Sequence, residues 1–292
     1  AVGQDTTFYL IKKNFQFGVD IFLFLSGIGL YYSYSKNHNL KEFYKKRFLR
    51  IIPIYLPICL IWFAFYDKVM GRGLLDYFAD VTLISFFTEN NIVEWFIVVI
   101  LIFYLLFPFI YKLFFIKINS KVFLLYLIIL PIILSIFIYY FLYNDIYFFN
   151  ENNRGWFEMI FSRVPVFLFG CAAGYFVKNN FKTNYVRIIT YSIFVIILCV
   201  ALLYCESGIF GQLKFRRCLY APLSIAFCIV FSAVLDSLDN NCFIKKFFEY
   251  IGNYTLETYL IYEKVELIFI NKNLIPYIDK NEIVRVIISL FV

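Results

Sequence analysis

The sequence is poor in the residues that most soluble enzymes use for chemistry. It has one histidine, and acidic and basic residues together make up only 16% of its 292 residues. None of the signatures GxGxxG, GxxxxGK[ST], HExxH or GxSxG occurs in it, which argues against the common nucleotide-binding, zinc-protease and serine-hydrolase sites. So few charges cannot cover a solvated surface. The composition therefore excludes an ordinary soluble domain.

The seven cysteines lack the spacing of a metal site or a redox pair. No CxxC pair occurs, and no cysteine and histidine are spaced to hold zinc. We interpret them as buried thiols and expect no metal and no permanently bound cofactor. The net charge of +7 does not predict a nucleic-acid partner, because the basic residues lie at the ends of apolar runs and form no continuous face. Contact with the lipid bilayer explains them better.

Apolar residues are abundant: they make up 62% of the chain, against about 45–50% in soluble domains. A membrane-spanning helix needs about 20 mostly apolar residues. The chain offers eight complete runs of this kind, and we predict an all-α, polytopic bundle of transmembrane helices. The predicted spans are 18–35, 51–66, 94–111, 122–143, 159–177, 188–205, 218–235 and 254–270.

The two ends of the sequence suggest a truncated protein. The chain begins at Ala1 without an initiator methionine, and a ninth apolar run starts near Ile283 but stops at Val292, about half the length that a span needs. Cleavage of a signal peptide or loss of an upstream segment would each explain the start. We expect a single membrane domain over residues 1–292, cut short at both ends.

Basic residues indicate how the chain is oriented. The stretch from Lys36 to Arg50 holds six lysines and arginines between two clear spans, and we predict it to be a loop. Short loops rich in Lys and Arg stay on the cytoplasmic side. This places the loop in the cytoplasm and residue 1 outside.

Arg47 and Arg50 form the motif RFLR at the cytoplasmic start of the second span. Three residues apart on a helix, they point the same way. Two guanidinium groups so placed would hold the phosphates of a nucleotide or of coenzyme A. The alternative is that they only anchor the helix at the membrane surface.

Several polar residues lie within or beside spans, where they are costly and mark candidate sites. Asp20 lies near the outer end of the first span, although it could remain hydrated there. Arg163 is deeper and needs an acid or a watery cavity, with Glu94, Asp20 and Glu257 as possible partners. Trp95 is either an interfacial belt aromatic or a substrate platform.

Two further features have simpler interpretations. The run Gly170, Cys171, Ala172, Ala173, Gly174 predicts a surface of small residues for close helix packing. His38 lies in the polar segment SKNHNLKE and is expected to be solvated. No other imidazole is available as a general base.

Five segments, taken together and in order, carry a resemblance to a known family. They are GVDIFLFLSGIGL, KKRFLRIIPIYL, EWFIVVILIFYLLFP, SRVPVFLFGCAAGY and IGNYTLETYLIY. This series resembles the bacterial acyltransferase-3 family of membrane proteins over about residues 15–270. Members of that family have about ten transmembrane helices. The eight complete spans and the shortened ninth agree with this number if one further helix precedes Ala1 in the full-length protein.

The resemblance implies an enzyme that moves an acetyl or other acyl group to a hydroxyl of a surface polysaccharide or glycolipid. The donor would be cytoplasmic acyl-coenzyme A, used as a co-substrate, and the location the bacterial inner membrane. The family's RxxR motif matches Arg47 and Arg50 and is associated with the donor. Arg163 matches an arginine before a proline, and Asp20 falls in the block before the Ser-Gly pair.

The family's catalytic histidine lies in its first helix, which this chain lacks, so the catalytic residue is left unassigned and His38 does not take its place. An alternative from another class is a transporter or glycan exporter without covalent chemistry. The polar residues of the spans, among them Glu263 and Lys264, would then line a path. No related pair of halves with broken helices supports that alternative.

Overall fold

The computed structural model describes residues 18–89, 94–115, 129, 132–134, 136–137, 151–179, 185–204, 213–239 and 242–270. Within these residues the chain is helical and contains no strand, as the sequence predicted. The helices are α1 Gly18–Lys36, α2 Leu40–Met70, α3 Leu74–Val81, α4 Ser85–Thr88, α5 Trp95–Phe115, α6 Glu151–Phe161, α7 Val164–Lys178, α8 Tyr185–Tyr204, α9 Leu213–Ser237, α10 Phe243–Asn253 and α11 Thr255–Ile270.

Four stretches of the described residues are long and apolar enough to cross a membrane. They are Leu40–Met70, Trp95–Phe115, Trp156–Lys178 and Leu219–Ser237. Three other predicted spans coincide with the helices α1, α8 and α11. The predicted span 122–143 and the run from Ile283 lie outside the described residues, apart from a few helical positions between 129 and 137.

The predicted loop 36–50 was wrong in its extent. Only Asn37, His38 and Asn39 are non-helical, and α2 begins at Leu40. The Asn39 side chain accepts hydrogen bonds from the backbone N–H groups of Lys41, at 3.0 Å, and Glu42, at 3.4 Å, and so caps the helix start. The six basic residues therefore lie mostly on the first turns of a 31-residue helix.

The predicted span 159–177 is also interrupted. Ser162 and Arg163 form a turn between α6 and α7. Pro165 lies in the first turn of α7, where its missing N–H deprives the Phe161 carbonyl of its helical partner. The turn places the Arg163 side chain at the start of α7.

The described residues fall into two compact units. Unit A holds those within Lys45–Glu94 and Asp239–Val292, and unit B those within Thr7–Tyr44 and Trp95–Leu238. In unit B, α1 packs closely along α7. A Cβ atom added to Gly170 would lie 2.2 Å from the Phe24 carbonyl oxygen, and one added to Gly27 would lie 2.7 Å from that of Phe167. The predicted close packing at Gly170 is confirmed.

Aromatic rings fill the rest of the α1, α5 and α7 interface in unit B. Tyr31 lies 4.9 Å from Phe115, and Phe103 stacks on Phe167 at 4.5 Å between ring centroids. Tyr34 meets Tyr111 edge-on at 5.0 Å. Such pairs add about 0.5–1.5 kcal/mol each beyond burial. They hold α5 against α1.

In unit A, α10 has a two-sided surface. Its apolar residues share one broad arc, whereas Lys245, Lys246, Glu249 and Asn253 share the opposite arc. None of its side chains is buried, and Phe243 and Tyr250 are 79% and 65% exposed. This pattern is typical of a helix that lies in the plane of a membrane surface. The exposed apolar residues of the arc are Phe243, Ile244, Phe247, Phe248, Tyr250, Ile251 and Tyr254.

Candidate functional site

Arg47 and Arg50 lie on one side of α2, three residues apart. The Arg47 side chain is half-buried and that of Arg50 is exposed. Lys41 and Lys45, also exposed, lie on the opposite side of the same helical segment. The start of α2 therefore presents a pair of guanidinium groups that the two lysines do not crowd.

Farther along α2, unit A contains a buried ion pair. The ammonium group of Lys264 in α11 donates to Oε1 of Glu94, which lies just before α5. Their side chains are only 6% and 4% exposed. The thiol of Cys59 in α2 donates to the same carboxylate oxygen at 3.4 Å. One oxygen of Glu94 thus serves two donors, and the carboxylate is held from two helices.

Apolar and aromatic groups enclose this pair. The Lys264 ammonium lies 5.8 Å from the ring centroid of Phe63 and 6.0 Å from that of Trp62. The Tyr55 hydroxyl donates to the Val81 carbonyl oxygen at 3.0 Å. Tyr55, Cys59 and Trp62 share a face because their spacing of four and three residues is the helical repeat. Charge pairs in such surroundings are strongly coupled.

Two polar atoms in this cluster are buried and accept or donate no hydrogen bond within the described part of the chain. They are Oε2 of Glu94 and Nε1 of Trp62. Oε2 of Glu257, seven residues before Lys264 on α11, is in the same condition. An unsatisfied buried group costs about 1–3 kcal/mol. These three atoms therefore carry a burial cost that no hydrogen bond within the described residues offsets.

Arg163 and Trp95, predicted as site residues, meet in unit B. The guanidinium carbon of Arg163 lies 4.5 Å from the centroid of the Trp95 ring. Its Nη1 also donates to the Ser162 hydroxyl at 2.6 Å. Arg163 is buried and Trp95 is half-buried. A cation over an indole face contributes about 0.5–2 kcal/mol, so Trp95 here stabilises a buried charge, and its role toward a substrate stays a prediction.

Asp20, a candidate site residue, and His38, which was expected to be solvated, both lie in unit B. Asp20 lies in the first turn of α1 and is 6% exposed, so it is buried, and hydration at the interface does not account for it. His38 is exposed, with its ring 5.3 Å from Tyr34 and 5.4 Å from Tyr111. The expectation that His38 is solvated is confirmed by its exposure.

Beyond the end of α2, unit A has a second charged cluster around Arg72. Its guanidinium group lies 2.7 Å from an oxygen of Asp80, 2.8 Å from Glu89 and 3.3 Å from Asp67. Burial alone would lower the pKa of Arg72, but Asp80, Asp67 and Glu89 raise it above its ordinary value. Gly71, with φ of 69°, makes the turn that brings Arg72 back to these acids. The cluster ties α3 and α4 to the end of α2.

Sequence reasoning missed the cluster around Glu94. Glu94 was one of three possible partners of Arg163, and Lys264 was considered only as part of a transport path, whereas the structure pairs Glu94 with Lys264. Cys59 and Trp62 were not predicted as site residues at all. The available signal was Lys264 itself, because a lysine in the apolar run YLIYEKVELIFI needs a buried partner.

These helices, with charges held among them, define a multi-pass membrane protein of the all-α class. Residues 2–292 match the model of a family described as an acyltransferase domain, and the chain belongs to this family, the acyltransferase-3 family. The resemblance stated from the sequence is thereby confirmed. Neither the curated proteins nor the solved structures gave a match to the chain.

Proposed function

We propose that this membrane acyltransferase moves an acetyl or other acyl group from cytoplasmic acyl-coenzyme A to a hydroxyl of a cell-surface polysaccharide or glycolipid. The proposal places it in the bacterial inner membrane, with Arg47 and Arg50 on the cytoplasmic side. Acyl-coenzyme A is a co-substrate in this scheme.

The observation that carries the proposal is the arrangement of Arg47 and Arg50. Coenzyme A carries several phosphates, and a guanidinium group binds a phosphate through two parallel hydrogen bonds. Arg50 is exposed and can meet a ligand from water, and Arg47 lies one turn away on the same side. The basic residues of this segment add a positive field that attracts an anionic donor.

The test is binding of acetyl-coenzyme A to the purified full chain in lipid nanodiscs. Replacement of both arginines, Arg47→Ala with Arg50→Ala, is expected to weaken binding by about 100-fold or more, because two charged contacts of about 1.5–3 kcal/mol each are lost. The matched control is Lys41→Ala with Lys45→Ala, which removes two charges from the opposite side of the same segment. It should leave affinity nearly unchanged.

Equal losses in the two double variants would mean that only general positive charge matters, and the specific role of the arginines would be rejected. Unchanged coenzyme A binding in the arginine variant together with loss of solute flux would favour the transporter alternative.

A further inference from the structure

The helix α10 follows α9, which contains the membrane-crossing stretch Leu219–Ser237, and precedes α11, which coincides with the predicted span 254–270. A segment between two crossings stays at one face of the bilayer. Six predicted spans, from 51–66 to 218–235, separate α10 from the basic segment Lys36 to Arg50. An even number of crossings returns the chain to the same side, which the positive-inside rule assigns to the cytoplasm.

The charges of α10 have a definite order around the helix. At about 100° per residue, Lys245 and Lys246 lie at the two edges of the polar arc, each next to the apolar arc, and Glu249 and Asn253 lie between them. Lys246 is exposed and Lys245 is half-buried. Both ammonium groups are thus carried close to the apolar arc, whereas the carboxylate of Glu249 points away from it.

This order of charges fits the surface of an anionic bilayer. When the apolar arc lies among the acyl chains, a lysine at its edge lays its aliphatic stem along the apolar layer and holds its ammonium group at the level of the phosphates. Glu249 then faces water, away from the anionic headgroups. A partner protein would need acidic groups along both edges of its groove, whereas an anionic bilayer supplies them on every side.

We propose that α10 lies on the cytoplasmic leaflet and binds anionic phospholipids, with its apolar arc in the lipid and Lys245 and Lys246 at the headgroups. The inference goes beyond the proposed acyl transfer and does not depend on it. Lys246 contributes more than Lys245 because its side chain is exposed. Asp236 and Asp239, both exposed, precede the helix and reduce the attraction, but they leave the order of charges around α10 unchanged.

The experiment measures which phospholipid collects beside α10 in nanodiscs that contain the full chain. Tyr250→Trp places a reporter on the apolar arc, one turn from Lys246, where the native side chain is 65% exposed. The discs contain phosphatidylcholine with a minor fraction of phosphatidylglycerol. In one preparation the phosphatidylglycerol is brominated, and in the other an equal amount of the phosphatidylcholine is brominated instead. The emission of the three native tryptophans is subtracted.

Brominated phosphatidylglycerol is expected to quench the reporter about two- to threefold more strongly than brominated phosphatidylcholine. A lysine near an anionic surface contributes roughly fivefold to affinity, and the two preceding acids offset part of this. Lys246→Gln should bring the ratio close to one, and Lys245→Gln should lower it less. Glu249→Gln should raise it, because an acid is removed. Lys41→Gln with Lys45→Gln, on the same predicted side of the membrane, is the matched control and should leave the ratio unchanged.

A separate measurement tests the side of the membrane. Asn253 is exposed on the polar arc, and Asn253→Cys should react with a membrane-impermeant maleimide in inside-out vesicles and not in right-side-out vesicles. Labelling of the unchanged chain is subtracted for the native cysteines. The opposite pattern would overturn the cytoplasmic position of α10.

The remaining outcomes decide the lipid partner. Equal quenching by the two lipids would overturn the preference for anionic headgroups. If neither lipid quenches the reporter, protein covers the apolar arc, for example a second copy of the chain, and the proposal is rejected. Acetyl-coenzyme A binding is measured in the same nanodiscs, so the proposed function can fail while this inference stands.

Discussion

Lys264 and Glu94 form a buried ion pair that joins α11 to the residue preceding α5, although the two lie far apart in the sequence. The carboxylate is held by a second donor, Cys59, on α2. The Glu94 side chain therefore connects its own segment to α2 and α11 within unit A. The pair has consequences for stability that can be measured apart from catalysis.

Loss of one partner of this pair should destabilise the protein strongly. Lys264→Met leaves the Glu94 carboxylate buried without its counter-charge, a change that typically costs about 3–5 kcal/mol. Thermal unfolding in detergent should show a clear drop in midpoint temperature. In Lys264→Met with Glu94→Gln neither charge of the pair remains, so most of the stability should return. An equal loss in the single and double variants would contradict the coupling.

Close packing of α1 on α7 predicts a sharp contrast between glycines. Gly170→Ala would place a methyl group 2.2 Å from the Phe24 carbonyl oxygen. Because backbone must shift to admit it, we expect a loss of about 1–3 kcal/mol. Gly29→Ala in α1 is the matched control, since its Cβ would meet nothing within 4 Å. Thermal unfolding of the two variants tests the contrast, and equal stability would show that α1 and α7 separate easily.

The Arg72 cluster should depend on the shape of the guanidinium group as well as its charge. Arg72 meets Asp80 and Glu89 through different nitrogen atoms, and the Asp80 carboxylate is fully buried. Arg72→Ala is expected to cost about 1.5–3 kcal/mol, discounted for the partial exposure of the arginine. Arg72→Lys keeps the charge but cannot span both acids, so its loss should be intermediate. Proteolysis of the segment between α2 and α5 would report the loosening, and wild-type resistance in Arg72→Ala would contradict it.

The two-sided surface of α10 predicts contact with lipid along one arc only. Phe247→Trp places a fluorophore on the apolar arc, and Glu249→Trp places one on the polar arc. In nanodiscs with brominated phospholipids, the added emission of Phe247→Trp should be quenched and that of Glu249→Trp should persist, after subtraction of the three native tryptophans. Equal quenching at both positions would show that α10 is fully embedded in lipid. Absence of quenching at both positions would show that α10 lies in water.

Long apolar runs were enough to predict most helices, because the cost of unpaired backbone groups in lipid leaves little choice of structure. The predicted span 18–35 and the helix Gly18–Lys36 nearly coincide. The start of α2 was missed because Leu40 to Arg50 mixes charges with apolar residues, so its hydropathy is that of a loop. A helix there follows from the Asn39 cap and from packing of Phe43, which no average of hydropathy reveals.

The candidate site was predictable only in part, for a different reason. The spacing of Arg47 and Arg50 is local, and the helix fixes their common side. The partners of Glu94 are not local: Cys59 and Lys264 come from helices that the fold brings together. A single sequence indicates that a buried charge needs a partner, but it does not identify that partner. For this reason the sequence offered Glu94, Asp20 and Glu257 as possible partners of Arg163 and did not predict the pair of Glu94 with Lys264.

The sequence separation of the two partners of the ion pair also determines when each is synthesised. Glu94 and Lys264 are 170 residues apart, and a ribosome adds about 5–20 residues per second. The carboxylate is thus made roughly 10–30 seconds before its ammonium partner. During that interval the Glu94 side chain lacks its counter-charge, so the buried ion pair forms only when α11 arrives.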